Sequence, residues 1–388
     1  MGAVQWAGAC ESAERLTAAM AGDHELALRR WAESGGQRLT GHAGGPALAG
    51  PARVALAFDE WARQVCELSG VVVDGASLIG ERAAIAGLTR AGTTSAGGGC
   101  RLLGCADGHV ALSLVREDDA NAIDAWLGEP VGLDLALPVN DGGWLRVAAA
   151  VATRSAAELI EQAVLLGLPC SQLGEGSPDA ELFTVTRAEA MGPRVLSGLR
   201  VVDLSSLWAG PLCARVLGLA GARVTKVESV ERPDGARRGP AAFYELMHSG
   251  HDEVQLDLRA VEGRGALRSL LNNADVVIEA SRPRALVAMG LSFADLHDDG
   301  WRGVWLSITG HGVDGDQATR VAFGDDAAVA GGLVAHDEFG PVFCADAIAD
   351  PATGLLAATA VLGAVTDGVS GHLGLSLANT AAHLAARS

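Results

Sequence analysis

After residue 195 the chain alternates short apolar runs with amphipathic stretches. The runs predict strands at 200–204, 223–228, 254–258, 275–279 and 303–308, and the 3.6-residue periodicity predicts helices at 211–220, 261–272, 284–289 and 353–366. Strand–helix alternation of this kind specifies a Rossmann-like, doubly wound parallel sheet of the α/β class. The clearest unit is 196–228. There Arg200–Leu204 reads as a strand, Ala209, Gly210 and Pro211 as a turn, Leu212–Ala220 as a helix and Arg223–Glu228 as the next strand.

The first half has a different rhythm. Residues 1–50 read as helical and then glycine-rich, and 54–68 as an amphipathic helix with Phe58, Trp61, Val65 and Leu68 at helical spacing. Cys100–Cys105 and Val110–Val115 read as strands joined by Ala106-Asp107-Gly108, a hairpin. Asp118–Leu127 and Ala156–Leu166 read as helices, the second ended by Gly167 and Pro169, and 174–194 as a polar connection. The expected division is therefore a smaller α+β domain over 1–195 and the Rossmann-like domain over 196–388.

Composition narrows the classes. With 388 residues, 49% hydrophobic and 20% charged, the chain has material for two cores. A net charge of −18 with no basic face argues against nucleic acid as a partner. Lys226 is the sole lysine, so arginine supplies the remaining fixed positive charge. The seven cysteines (Cys10, Cys66, Cys100, Cys105, Cys170, Cys213, Cys344) include no C-x-x-C pair, and with no H-E-x-x-H no metal site is expected. The longest apolar run, Leu355–Val365, is shorter than a bilayer requires, and the first residues lack the pattern of a secretory signal. A cytoplasmic protein without membrane partners is expected.

The wording L-S-G-L-R-V-V-D-L, A-G-P and A-G-A-R-V-T-K-V-E resembles the class III CoA-transferases, the family of formyl-CoA transferase and the carnitine CoA-transferases. Leu256–Leu258, Ala274–Glu279, Arg282-Pro283, Leu306–Gly312 and Asp350–Gly354 follow in that family's order. Arg90–Leu103 resembles its glycine loop, the hairpin after it a small-domain hairpin, and Leu166–Glu175 a segment near its C-terminus. These last three precede the Rossmann-like half here, an inverted order that suits a circular permutation or a tandem fusion cut at another point.

The resemblance implies an enzyme that moves CoA from an acyl-CoA to a free carboxylic acid, working as an interlocked homodimer without metal. It implies that Asp350, with Thr353 and Gly354, attacks the thioester, and that Gly97, Gly98 and Gly99 shield the intermediate from water. On its own spacing Asp350 reads as an N-cap with Pro351 at the first helical position, an ionised carboxylate at a helix N-terminus. CoA contacts are expected at Trp208, Ala209, Lys226, Arg237, Arg238 and Arg282, with Arg284 a further cation near them. Gly310, Gly312 and Gly315 spell G-x-G-x-x-G, but Asp314 and Asp316 crowd the place of a pyrophosphate, so no NAD site is expected.

Two other readings remain. The related acyl-CoA racemases carry a G-H-D histidine, and the nearest stretch, Phe323-Gly324-Asp325-Asp326, has none; His311 and His336 stand elsewhere. Ser229, His251 and Asp252 occupy places where the family usually has basic residues, which suits a CoA-binding paralogue without turnover.

Overall fold

The computed structural model describes residues 7–133 and 137–388; the side chain of Cys10 lies outside the described residues. The hairpin β1 (Cys100–Cys105) and β2 (Gly108–Ser113), with β3 (Cys170–Gln172), forms a three-stranded antiparallel sheet in the order β1-β2-β3. The helices Asp141–Val151 and Ala156–Leu166 help to bury its own core of Leu112, Trp126, Trp144 and Leu159. The helix expected over Asp118–Leu127 is divided at Ala122 into Glu117–Asn121 and Ile123–Leu127. Asp141–Val151 lies outside the helices the pattern predicted.

The larger sheet contains β4 (Thr184–Ala190), β5 (Arg200–Asp203), β6 (Arg223–Ser229), β7 (Asp252–Leu256), β8 (Val276–Glu279) and β9 (Val304–Thr309). After the hairpin β10 (Val334–Asp337) and β11 (Gly340–Phe343), β12 (Val369–Ser376) completes it. The order is β4-β12-β9-β8-β5-β6-β7, parallel except for the antiparallel edge strand β4. The five strands predicted from apolar runs are β5 to β9, and Val201, Val276, Val277, Ile278 and Leu306 are buried among them. Such continuous apolar strands are what a sheet covered on both faces needs.

The pattern missed β4 and β12 for separate reasons. On the edge, β4 exposes much of its length and reads TVTRAEA, polar enough to pass for a connection. In β12, Gly371 and Gly374 lower the local strand signal. Gly374 is needed because a Cβ there would stand 2.3 Å from Thr184 Oγ1 on β4.

Across one face of the large sheet runs the helix Ala349–Asp367, longer at its start than the 353–366 predicted. It is apolar all round and packs between the helices Val54–Ser69 and Ala209–Leu219. Gly354 permits the second contact, since a Cβ there would lie 2.5 Å from Ala209 O. By length and composition this helix could cross a membrane, but 78% of its most apolar window is buried inside the fold, as befits a core helix.

A division at 195 differs from this packing. The strand β4 precedes residue 195 yet pairs with β12. Trp31, Phe58, Trp61 and Val65 from the first half share one core with Leu355, Leu356, Val361 and Leu362, all fully buried. The segment around β1–β3 has a separate core, and so does a second cluster against the large sheet, of Val202, Leu271, Val277 and Trp305.

Two outcomes follow from the shared core. Residues 196–388 expressed alone should aggregate, because the faces covered by Phe58 and Trp61 would be bare; a monomeric fragment with one cooperative melt would contradict this. In the whole chain Trp61→Ala should lower the unfolding free energy by about 3–5 kcal/mol in urea titration.

Candidate active site

Asp350 is the second residue of the core helix, whose N-cap is Ile348 without a side-chain bond. The expected cap geometry is therefore corrected: Asp350 lies inside the first turn, and Pro351 is the third helical residue rather than the first. Its backbone N–H bonds Ala347 O at 2.8 Å, which leaves its carboxylate free for other partners. That carboxylate packs on Gly324, where a Cβ would stand 2.5 Å from Oδ2, and accepts from the Gly324 N–H.

Three segments converge here. The helix Gly324–Ala330 contributes Asp325 and Asp326 in its first turn. The approach to the core helix contributes Asp346, fully buried. The helix Leu78–Ala86, from the other half of the chain, contributes Arg82. Arg82 Nε donates to Asp346 Oδ2 at 2.8 Å and Nη2 to Oδ1 at 2.5 Å. The guanidinium also stacks over Trp208, 5.1 Å from the ring centroid. Burial works against its charge, but Asp346 outweighs burial and holds Arg82 firmly protonated.

The cluster holds more negative charge than one arginine balances. Burial pushes Asp350 up to about 7; Arg82 opposes this, while Asp325 and Asp346 reinforce it. Asp325 is raised to about 6, by burial and then by Asp346, with Arg82 opposing. The reading of Asp350 as fully ionised through its helix end is thus corrected: desolvation and like charges outweigh the helix dipole. Asp350 and Asp325 are only partly covered, whereas Asp346 and Asp326 are closed off.

Backbone strain marks the same place. Ala345 and Ala347, either side of Asp346, have φ of 57° and 44°, and Leu207, beside Trp208, has φ of 71°. These are three of the four non-glycine residues with positive φ among the described residues. Each such conformation costs on the order of 1 kcal/mol or more and persists only where the surroundings enforce it. The Ala347 N–H bonds Asp325 Oδ1 at 3.0 Å, and the Ala345 N–H bonds Thr40 Oγ1 at 3.1 Å.

The glycine loop reaches this cluster. Ser95, fully buried, hydrogen-bonds Asp325 through its side chain. It also ties the loop together, accepting the Cys100 N–H on Oγ at 3.1 Å and the Gly98 N–H on its carbonyl at 2.8 Å. A Cβ on Gly97 would stand 3.7 Å from Arg82 Nη2, and one on Gly99 would stand 2.5 Å from Val115 Cγ1. Gly98 has φ of 79° and open space beyond.

The cations foreseen for CoA divide into two groups. Lys226 is fully buried, 3.0 Å from Asp234, 3.7 Å from Asp203 and hydrogen-bonded to the Ser205 carbonyl, so it faces no ligand. Arg237 is engaged by Glu228 at 2.7 Å, Glu253 at 2.6 Å and the Tyr244 hydroxyl at 2.6 Å. For these two the expectation is corrected: carboxylates that the sequence scatters are gathered around them. Arg238, Arg282 and Arg284 reach solvent. Partial burial and then the like charges of Arg116 and Arg232 depress the pKa of Arg282, so cations from both halves of the chain meet there. Trp208 is closed off apart from its contact with Arg82, while Ala209 opens the helix Ala209–Leu219.

No histidine is among the groups that face Asp350. His311 is buried beside Ser171, 3.4 Å from its hydroxyl, and is driven to about 3 by burial and Arg320. Arg82 escaped the sequence reading, since nothing around it spells a motif, and Ser95 and Gly324 lie in stretches whose pattern gives neither residue a role.

The model of CoA-transferase family III matches residues 196–388. An acyl-CoA transferase of Fusarium pseudograminearum is 30% identical over 207 residues, 48% of this chain and 45% of that one. A succinate–glutarate CoA-transferase of Agrobacterium fabrum is 30% identical over 204 residues, 47% and 50% of the two chains. A CaiB/BaiF family protein of Brucella suis, solved by crystallography, is 29% identical with a TM-score of 0.44 over 48% and 54%. The chain thus spans about half the length of the curated relatives it matches.

Asp326 offers a test of the cluster's electrostatics. Its Oδ1 accepts from Ser113 Oγ at 2.6 Å and from the Phe323 N–H at 3.0 Å, while Oδ2 is buried without a partner. Burial, opposed by those two bonds and helped by Asp325, raises it from 3.8 to about 7. A carboxyl raised in the folded state keeps its proton there while the unfolded chain has lost it. It therefore subtracts stability as pH rises from about 4 to about 7, and the full cost persists above. Asp326→Asn keeps both accepted bonds, so its advantage in melting free energy over the natural chain should grow between pH 5 and 7.5, by on the order of 2 kcal/mol, and then stay flat.

Proposed function

We propose, from the match of the CoA-transferase family III model to residues 196–388, that the chain transfers CoA from an acyl-CoA thioester to a free carboxylic acid with Asp350 as nucleophile. The observation that carries the reading is Asp350 itself. The Asp-Pro-Ala-Thr-Gly aspartate is partly accessible at the start of a buried helix, within a cluster that the glycine loop reaches through Ser95 and Arg82.

The steps follow from the chemistry of a carboxylate. Asp350 attacks the thioester carbonyl and expels CoA as thiolate, leaving a mixed anhydride on the aspartyl oxygen. The thiolate then attacks the aspartyl carbonyl, releasing the donor acid and leaving an aspartyl–CoA thioester. The acceptor carboxylate attacks that thioester, forms a second anhydride and frees CoA. CoA attacks the acyl carbonyl of this anhydride, giving the new acyl-CoA and restoring Asp350. An aspartate titrating near 7 is more basic than an ordinary one, hence a better nucleophile once ionised, at the expense of being protonated below neutrality.

Anhydrides hydrolyse, so water must be excluded. We assign that exclusion to the loop Gly97–Gly99, which Ser95 ties together by accepting the Cys100 N–H. For the CoA phosphates, the exposed Arg282, Arg232 and Arg238 are the candidate cations, while Arg116 near Arg282 is paired with Asp119. The segment order fits a permuted member of the family; by resemblance to that family we propose a homodimer, working in the cytoplasm.

Asp350→Asn keeps the size of the side chain and its bond from the Gly324 N–H, yet an amide is a poor nucleophile. It should fold as the natural chain does and lose transfer, at least about a thousandfold. Intact mass after incubation with acyl-CoAs should show an adduct on the natural chain and none on the variant; retained transfer would overturn the assignment. Natural activity should rise with pH through about 7 as Asp350 ionises.

Gly98→Ala places a Cβ where φ is 79° but meets no neighbour, so its effect is on loop conformation. The ratio of acyl-CoA hydrolysis to transfer should rise severalfold; an unchanged ratio would count against shielding.

A further inference from the structure

Arg82 belongs to the half of the chain outside the family match, on the helix Leu78–Ala86, yet its guanidinium ends among the carboxylates of the matched half. The pair it makes with Asp346 is bidentate, a geometry that fixes a guanidinium in direction as well as in distance. Asp346 is fully buried and thus out of reach of a substrate. It is held nonetheless between two strained alanines, with φ of 57° and 44°. A buried charge in an enforced conformation needs a reason, because an ion pair of this kind rarely adds stability over apolar packing.

We infer that Arg82 is a positioning residue for Asp350: anchored bidentately on Asp346, its guanidinium offsets the carboxylates gathered around Asp350, Asp346 among them, so that Asp350 is available as an anion. The inference rests on the reading of Asp350 as nucleophile. The groups that face Asp350 are Arg82 from Leu78–Ala86, Asp325 and the Gly324 N–H from Gly324–Ala330, and Asp346 from the segment leading into its own helix. Arg82 is the one cation in that set. Asp346 acts on Asp350 directly with the opposite sign, as a repelling neighbour whose charge Arg82 offsets. The stack on Trp208 closes the remaining side of the guanidinium and limits its swing.

Opposed signs give a test that a merely structural role would not pass. In the full chain, carbodiimide and an amine label protonated carboxyls, so labelling of Asp350, read by peptide mass across pH, gives its midpoint without any CoA. Arg82→Gln should raise that midpoint by about one pH unit or more, and Asp346→Asn should lower it, because a repelling charge is lost and Arg82 is released. Arg82→Lys keeps a charge and should stay close to the natural value. The pH at which transfer half-rises should move the same way in each variant. Midpoints that move together, or do not move, overturn the inference. If Arg82→Gln does not fold cooperatively, Asp346→Asn decides alone, and a midpoint that is not lowered overturns it. Opposed labelling shifts with no transfer by the natural chain would keep the pair and defeat the transferase reading. Transfer through Asp350 with unmoved midpoints would do the reverse.

Discussion

Four carboxylates, Asp325, Asp326, Asp346 and Asp350, share a closed region with one guanidinium, that of Arg82. Full ionisation would leave the region strongly negative, and desolvated like charges are among the most expensive things a fold can hold. The structure meets that constraint in three ways. Arg82 clamps Asp346, hydrogen-bond donors reach Asp325 and Asp326, and the midpoints of Asp325, Asp326 and Asp350 rise to about 6 to 7, so that protons stand in for missing cations.

That constraint also explains why the two halves of the chain cannot be treated apart. The balancing charge comes from the helix Leu78–Ala86, and Ser95 and Ser113 hydrogen-bond Asp325 and Asp326 from the same half. The core helix bearing Asp350 is itself packed by Phe58 and Trp61. Packing and electrostatics therefore couple the first half to the site through the same elements. The strained alanines beside Asp346 are stable only because both halves press on them.

The cations show a second consequence of burial. In the sequence nothing distinguishes Lys226, Arg237, Arg238 and Arg282 as free or engaged cations. In the fold Lys226 is sealed between Asp203 and Asp234, and Arg237 is occupied by Glu228, which it holds down to about 2 against the effect of burial. Arg282 instead stays exposed among mixed charges, Arg116 and Arg232 lowering its pKa after burial and Asp119 and Asp118 raising it. Whether a cation is free or engaged depends on neighbours that the fold, not adjacency in the chain, brings to it.

The sequence by itself determined the parallel strands β5 to β9; β5, β8 and β9 carry the apolar runs a covered sheet needs, while the edge strand β7 is largely exposed. It also determined the helices Val54–Ser69 and Ala156–Leu166, through amphipathic spacing and a terminal glycine. Asp350 was legible as a candidate from the short motif around it, and the glycine loop from three adjacent glycines. The tertiary structure alone decided where β4 and β12 go, since one is polar and exposed and the other carries glycines that a neighbouring strand demands. It alone placed Asp350 inside the first helical turn rather than at its cap, and raised its midpoint to about 7. Arg82, Asp346 and Ser95 lie hundreds of residues apart in part, and no local pattern encodes their meeting. Propensity and periodicity are local, whereas desolvation and Coulomb interaction depend on distance in space, so the charge state of the site could emerge only once the chain had closed around it.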